Sequence, residues 1–138
     1  MTDSTALFAA AFAALFAAHH LADYPAQTDH QAAHKADRTL TGWIANQVHA
    51  ASHTVLTLLA LVTLAAVLHT PLTVSGVAAG LAWVHLSHSA IDRRRAVAWW
   101  MDHTGQTGFR AASGAAHVDQ AAHIALGLLP AALLIASL

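Results

Sequence analysis

Residues 42–68 read GWIANQVHAASHTVLTLLALVTLAAVL, with no Asp, Glu, Lys or Arg among them. At 1.5 Å per residue, such a helix exceeds the roughly 30 Å hydrocarbon core of a bilayer. Near its start, His49 and His53 stand four residues apart, so both imidazoles share one helix face. Polar groups are costly in a membrane helix, so their positions carry the functional information.

Three further stretches have similar length and character, at about 5–22, 72–91 and 115–138. Hydrophobic residues make up 57% of the 138-residue chain and charged residues 9%. A soluble domain averages about 25% charged. These values exclude a disordered chain and argue against a soluble globule. The absence of Cys excludes disulfide scaffolds and thiolate chemistry. A net charge of −1 offers no basic surface for nucleic acid, so none is expected as a partner. The first stretch is Ala-rich, but its leading MTDST has an acid and no base, which favours a spanning helix over a cleaved signal.

The connections are unequal. The 69–73 segment, HTPLT, is a tight turn, with Pro71 placed to start a helix. Residues 23–41 form a long polar linker, in which Thr28 and Gln31 have capping-box spacing; this predicts a short surface helix at about 29–39. Residues 93–114 form a second long linker with Arg93-Arg94-Arg95, Trp99-Trp100 and three glycines. Trp43, Trp99 and Trp100 suit a water–lipid boundary. All six basic residues (Lys35, Arg38, Arg93, Arg94, Arg95, Arg110) fall in these two linkers. The positive-inside rule then makes both linkers cytoplasmic and both termini external. The expectation is an all-α fold: a four-transmembrane-helix up-down bundle with a short interfacial helix in each cytoplasmic linker. Residues 1–138 would form a single integral membrane domain.

Each span carries one pair of potential ligands at i, i+4 spacing: His19 and Asp23, His49 and His53, His88 and Asp92, Asp119 and His123. The first and third pairs end their helices; the second and fourth begin theirs. In an up-down bundle all eight side chains therefore reach one depth near the cytoplasmic face, as in bundles that build dinuclear sites from facing pairs. Three carboxylates in that setting need compensating charge, which neutral imidazoles do not provide. One or two divalent cations would supply it, with Zn the default for His and carboxylate ligands and Fe or Mn as alternatives. Eight ligands exceed one tetrahedral site and favour two ions. His85, Asn46, Gln120 and His20 are candidates for holding those ligands in place. Asp29, Lys35, Arg93 and Arg94 are candidates for substrate contact. A lone membrane histidine is more often a helix–helix hydrogen-bonding group, which is the reading for His69, His103 and His117. His30 and His34 read as solvated.

The string His19-x3-Asp23-Tyr24-Pro25-x-Gln27-Thr28-Asp29, then Lys35, His49-x3-His53, His88-x3-Asp92 and Asp119-Gln120-x2-His123, resembles the bacterial membrane-protein family called domain of unknown function 3307. The resemblance covers nearly the whole chain, its first and last motifs being the most specific. Arg93-Arg94-Arg95 departs from it, since a Lys is expected soon after the third-helix Asp. The resemblance implies the bacterial cytoplasmic membrane and a distant likeness to membrane-bound metal-dependent hydrolases.

The leading functional expectation is a metal-dependent hydrolase at the cytoplasmic face. Asp23 or Asp119 would act as general base on a lipid-like or amphiphilic phosphoester or acyl substrate. The alternative is a metal-ion or proton transporter. The third is a membrane di-iron oxidase, disfavoured by the lack of Glu. The bilayer and a small-molecule or lipid substrate are the expected partners; a chain of this size is also a candidate homodimer.

Overall fold

The computed structural model describes residues 4–138. Among them the protein is all-helical, with no strand. Helix α1 spans Ser4–Asp23, α2 Asp29–His34, α3 Leu40–Leu68, α4 Val74–Asp92 and α5 Arg95–His103. A short α6 (Thr107–Phe109) precedes a kinked turn. A last long helix follows as α7 (Ala115–Ala122), a π-helical segment (His123–Leu128) and α8 (Leu129–Ser137). Helix α1 packs on α3, α3 on α4, α4 on α8 and α8 back on α1, closing a ring of four.

Threonines set three of the helix starts. Thr28 accepts from the Gln31 amide, and Gln31 Oε1 accepts from the Thr28 amide, completing the capping box of α2. Thr39 accepts from the Gly42 amide and Thr73 from the Gly76 amide. The cap at Thr39 explains why α2 stops at His34 and does not run to 39: the linker must turn so that Thr39 can start α3. The cap at Thr73 likewise starts α4 at Val74, leaving Pro71 in the preceding turn.

Three helical stretches, Ser4–Asp23, Leu40–Leu68 and Thr107–Ser137, are long and apolar enough to cross a membrane. Ser113, at φ 68°, and Ala112 break the third of these before Ala115. Helix α4, expected as a span, is not among them. It has sufficient length, but Ser75, Gly76, Gly80, His85, Ser87, His88 and Ser89 lower its hydropathy.

The distribution of side chains inverts that of a soluble protein. On α3 the buried face is Ala45, Asn46, His49, Ala50, His53, Thr57 and Leu61. Val48, Val55, Leu58, Leu59 and Val62 of the same helix are exposed. Exposed apolar area on that scale is consistent with a membrane protein. The interior divides into two parts. Ala11, Leu15, Leu61, Val84, Leu128, Ala131, Ala132 and Ile135 form one apolar core. The His and Asp pairs fill the interior at the linker end.

Close approach of α4 to α8 depends on Gly76 and Gly80, spaced four apart as small residues are at tight helix crossings. A Cβ on Gly76 would lie 2.9 Å from the Ile135 carbonyl oxygen, and one on Gly80 would lie 2.6 Å from Ile135 Cγ1. The same seam has a second device. Pro130 has no N–H for the Leu126 carbonyl. Trp83 Nε1 donates to that oxygen instead, at 2.9 Å.

Gly76→Ala should therefore destabilise the fold by about 1–3 kcal/mol through overpacking against backbone. Gly108→Ala, where a Cβ meets nothing within 4 Å, should be near neutral. Thermal unfolding in detergent compares the two.

Candidate metal centre

Helix direction brings three of the four pairs, and His123 of the fourth, to one place. Helices α1 and α4 bring His19, Asp23, His88 and Asp92 at their C-terminal ends. Helix α3 and the last long helix bring His49, His53 and His123 near their N-terminal ends.

Asp23 is at the middle. Its Oδ1 lies 3.2 Å from His49 Nε2, 3.2 Å from His53 Nε2 and 3.8 Å from His88 Nε2. Its Oδ2 lies 3.2 Å from His19 Nε2 and accepts from Gln120 Nε2 at 2.8 Å. Gln120 Oε1 is 3.1 Å from His19 Nε2, so this amide holds both members of the first pair. Asp92 forms a second focus. Its Oδ2 is 3.1 Å from His88 Nε2 and 3.4 Å from His49 Nε2, and its Oδ1 is 3.8 Å from His123 Nε2.

Two groups have the donors and spacing to hold a metal ion: Asp23, His49, His53 and His88, and, sharing His88, the set His88, Asp92 and His123. All are buried, and the ligand atoms within each group lie within 4.8 Å of one another. Ligands about 2.1 Å from a tetrahedral ion would stand about 3.4 Å apart, close to the spacings here. The donor chemistry fits as well. His53 Nε2, His88 Nε2, His123 Nε2 and Asp92 Oδ2 are buried without a hydrogen-bond partner. They lie near other polar atoms but not in hydrogen-bonding geometry. Buried polar atoms are rarely left so, and metal coordination would satisfy them.

Lys35 enters this cluster from the first linker. Its Nζ is 3.0 Å from Asp92 Oδ1 and 3.1 Å from His49 Nε2, and the side chain is buried. One ammonium against Asp23 and Asp92 leaves one negative charge uncompensated if the imidazoles are neutral. Arg93 fixes the linker from below: its guanidinium donates to the carbonyls of Lys35 (3.0 Å) and Asp37 (2.5 Å) and lies over Trp43. It is therefore engaged in holding the linker, not free for a substrate.

Other sequence candidates lie apart from the two groups. Asp119 sits beside His123, Oδ2 to Nδ1 at 3.4 Å, with its side chain 23% exposed. His20 faces the Phe16 carbonyl at the outer surface of α1. His85 contacts Thr54 and Gln47. Asn46 pairs with Ser89, its Nδ2 donating to the Ser89 carbonyl and its Oδ1 accepting from the Ser89 hydroxyl. That link clamps α3 to α4 and does not reach a ligand. Asp29 is exposed at the start of α2.

Beside the cluster lies a cavity of about 440 Å³, lined by Lys35, Asp92, Arg94, Val97, Ala98, Arg110, Ala115, Ala116 and Asp119. Arg110 was not foreseen from sequence. It stands alone in a Gly-rich stretch; the chain turns after α5 at Gly105, φ 74°, and the Arg110 guanidinium pairs with Asp102 of α5.

These features define an all-helical protein with apolar helices of membrane length and a buried His/Asp cluster suited to metal. The chain belongs to the family described as protein of unknown function (DUF3307), whose model matches residues 11–136. No curated protein and no solved structure gives a significant match.

Elemental analysis of the detergent-purified chain tests the ligand set. His88→Ala, which removes the shared ligand, should cut bound metal to under a tenth of wild type. Asp119→Asn should retain metal, with affinity weakened about tenfold through His123.

Proposed function

We propose that this chain is a membrane-embedded metalloprotein, and that its centre is that of a divalent-metal-dependent hydrolase. In this reading residues 1–138 form one integral domain in the bacterial cytoplasmic membrane, α4 being carried across by its three apolar neighbours. Both basic linkers face the cytoplasm, as the confinement of all six Lys and Arg to them favours. The metal is Zn by default, with Fe or Mn as alternatives, and the two groups sharing His88 favour two ions.

One observation carries the reading: a buried donor cluster with orphaned nitrogens opens onto a cavity through Asp92. A bound divalent cation would supply Lewis acidity and a water of near-neutral pKa. Asp119 is the candidate general base. It lines the cavity, keeps part of its surface exposed and leans on His123, so a proton taken there has a route outward. Asp23, enclosed by His19, His49, His53 and Gln120, is better placed to hold metal than to shuttle protons. The substrate is a small amphiphile with a phosphoester or acyl bond, reaching the cavity from the cytoplasmic boundary.

The transport reading is weakened by the apolar core. Leu15, Leu61, Val84, Leu128 and Ile135 pack together as apolar core in the bundle interior away from the linkers.

Hydrolysis of p-nitrophenyl phosphate and p-nitrophenyl butyrate by the purified chain tests the activity. Turnover should vanish with chelator, return with Zn, and fall 10²–10⁴-fold in Asp119→Asn. Metal-loaded protein that turns over neither ester, yet carries Zn flux into liposomes, would decide for transport. The natural lack of Cys allows a topology test. Thr70→Cys should react with an impermeant maleimide from outside, and Thr104→Cys only after the membrane is opened.

A further inference from the structure

The cavity beside the cluster has a composition the hydrolase reading does not require. Three cationic side chains, Lys35, Arg94 and Arg110, meet there with two carboxylates, Asp92 and Asp119. The carboxylates have partners of their own: Asp92 has Lys35 at Oδ1 with His88 and His49 near Oδ2, and Asp119 has His123 beside it. The cations retain donors. Lys35, only 7% exposed, uses two contacts of an ammonium that has three hydrogens. Arg94 makes one long contact, 3.4 Å to the Ala32 carbonyl, leaving most of its fork unused. Arg110 meets Asp102 through one terminal nitrogen, so its other donors are unspent. The remaining walls, Val97, Ala98, Ala115 and Ala116, offer no side-chain acceptor and lower the local dielectric.

Backbone conformation supports a built site. Arg94 and Ser113 adopt left-handed φ of 61° and 68°, a conformation unfavourable for a non-glycine residue. One turns the chain into α5 and the other turns it into α7, the helices that flank the cavity.

We propose that this cavity is an anion subsite that takes the phosphate group of the ligand, with Lys35 at its base and Arg94 and Arg110 at its rim. Guanidinium forks match phosphate oxygens in pairs, and an ammonium beside the metal ligands adds a point charge where phosphoryl oxygens would meet the centre. The volume of about 440 Å³ accommodates a phosphorylated head group. The inference rests on the hydrolase reading and narrows it from phosphoester or acyl substrates to phosphate-bearing ones. Lys35 has a second consequence. It occupies oxygen and nitrogen positions that a metal would use, so it opposes the cation while favouring the anion.

Titration calorimetry of the full Zn-loaded chain in a nonionic detergent provides the test, with inorganic phosphate and dihexanoyl phosphatidate as probes and dihexanoyl phosphatidylcholine for comparison. Wild type should bind the first two and prefer them at least tenfold over the zwitterion. A stronger response to phosphatidate than to phosphate points to a lipid source; equal responses point to a soluble ester. The double variant Arg94→Gln, Arg110→Gln should weaken both at least tenfold with metal content unchanged, and Arg94→Lys, Arg110→Lys should restore part of the loss. Lys35→Met should weaken phosphate and tighten Zn, each about tenfold, an opposition that a merely structural lysine would not produce. Equal phosphate affinity in wild type and the double Gln variant, or loss of phosphate binding only when Zn is stripped, overturns the subsite. Phosphate binding without turnover of any ester would remove the hydrolase and leave the subsite standing. Turnover of butyrate esters without phosphate affinity would do the reverse.

Discussion

Two carboxylates buried among apolar helices are the constraint from which the rest of this structure follows. Asp23 and Asp92 lie at most 6% exposed, with one lysine against Asp92 and imidazoles around both. A carboxylate in a low-dielectric interior survives only with opposite charge and hydrogen bonds close by. Each helix meets that demand with a turn's worth of polar side chains on one face, and surrounds it with alanine and leucine. Gln120, reaching from the last helix to both His19 and Asp23, shows how narrow the tolerance is: one amide serves two side chains of α1.

The linkers are part of the same solution. Lys35 comes from outside the four long helices, and Arg93 anchors the segment that carries it through the carbonyls of Lys35 and Asp37. A loop that merely joined α1 to α3 would need neither contact. Arg94, adjacent in sequence, is turned by its left-handed backbone toward the cavity. Neighbouring arginines thus serve opposite ends of the architecture, one structural and one facing open space.

Much of this was legible from the amino-acid order. Spacing of four residues puts two side chains on one helix face whatever the surroundings, so the pairs at 19/23, 49/53 and 88/92 could be read directly. Alternating helix direction then placed them at one end. The all-helical class and three of the four expected membrane-length helices followed from composition. Less was readable where tertiary geometry chooses among chemically equal options. Asp119 has the same spacing to His123 as Asp23 has to His19, yet it sits beside its partner at the edge of the cavity and not in the cluster. Asn46 is one turn from His49 but faces Ser89. Arg110 lines the cavity only because the chain turns back after α5, and its lone position in the sequence does not announce that. The Gly76 and Gly80 contact with Ile135 was present as a small-residue spacing but acquires meaning only with the opposing helix in place.

The donors are divided between two helical hairpins. Asp23, His49 and His53 belong to the first, and His88, Asp92 and His123 to the second. Neither hairpin alone offers both carboxylates, and Lys35 of the first must find Asp92 of the second. During synthesis the nascent first half therefore presents an unfinished donor set, and tight capture of an ion would have to wait for the second half. An ion held at that junction would act as a clasp across the halves, so that loading and completion of the fold would become one event.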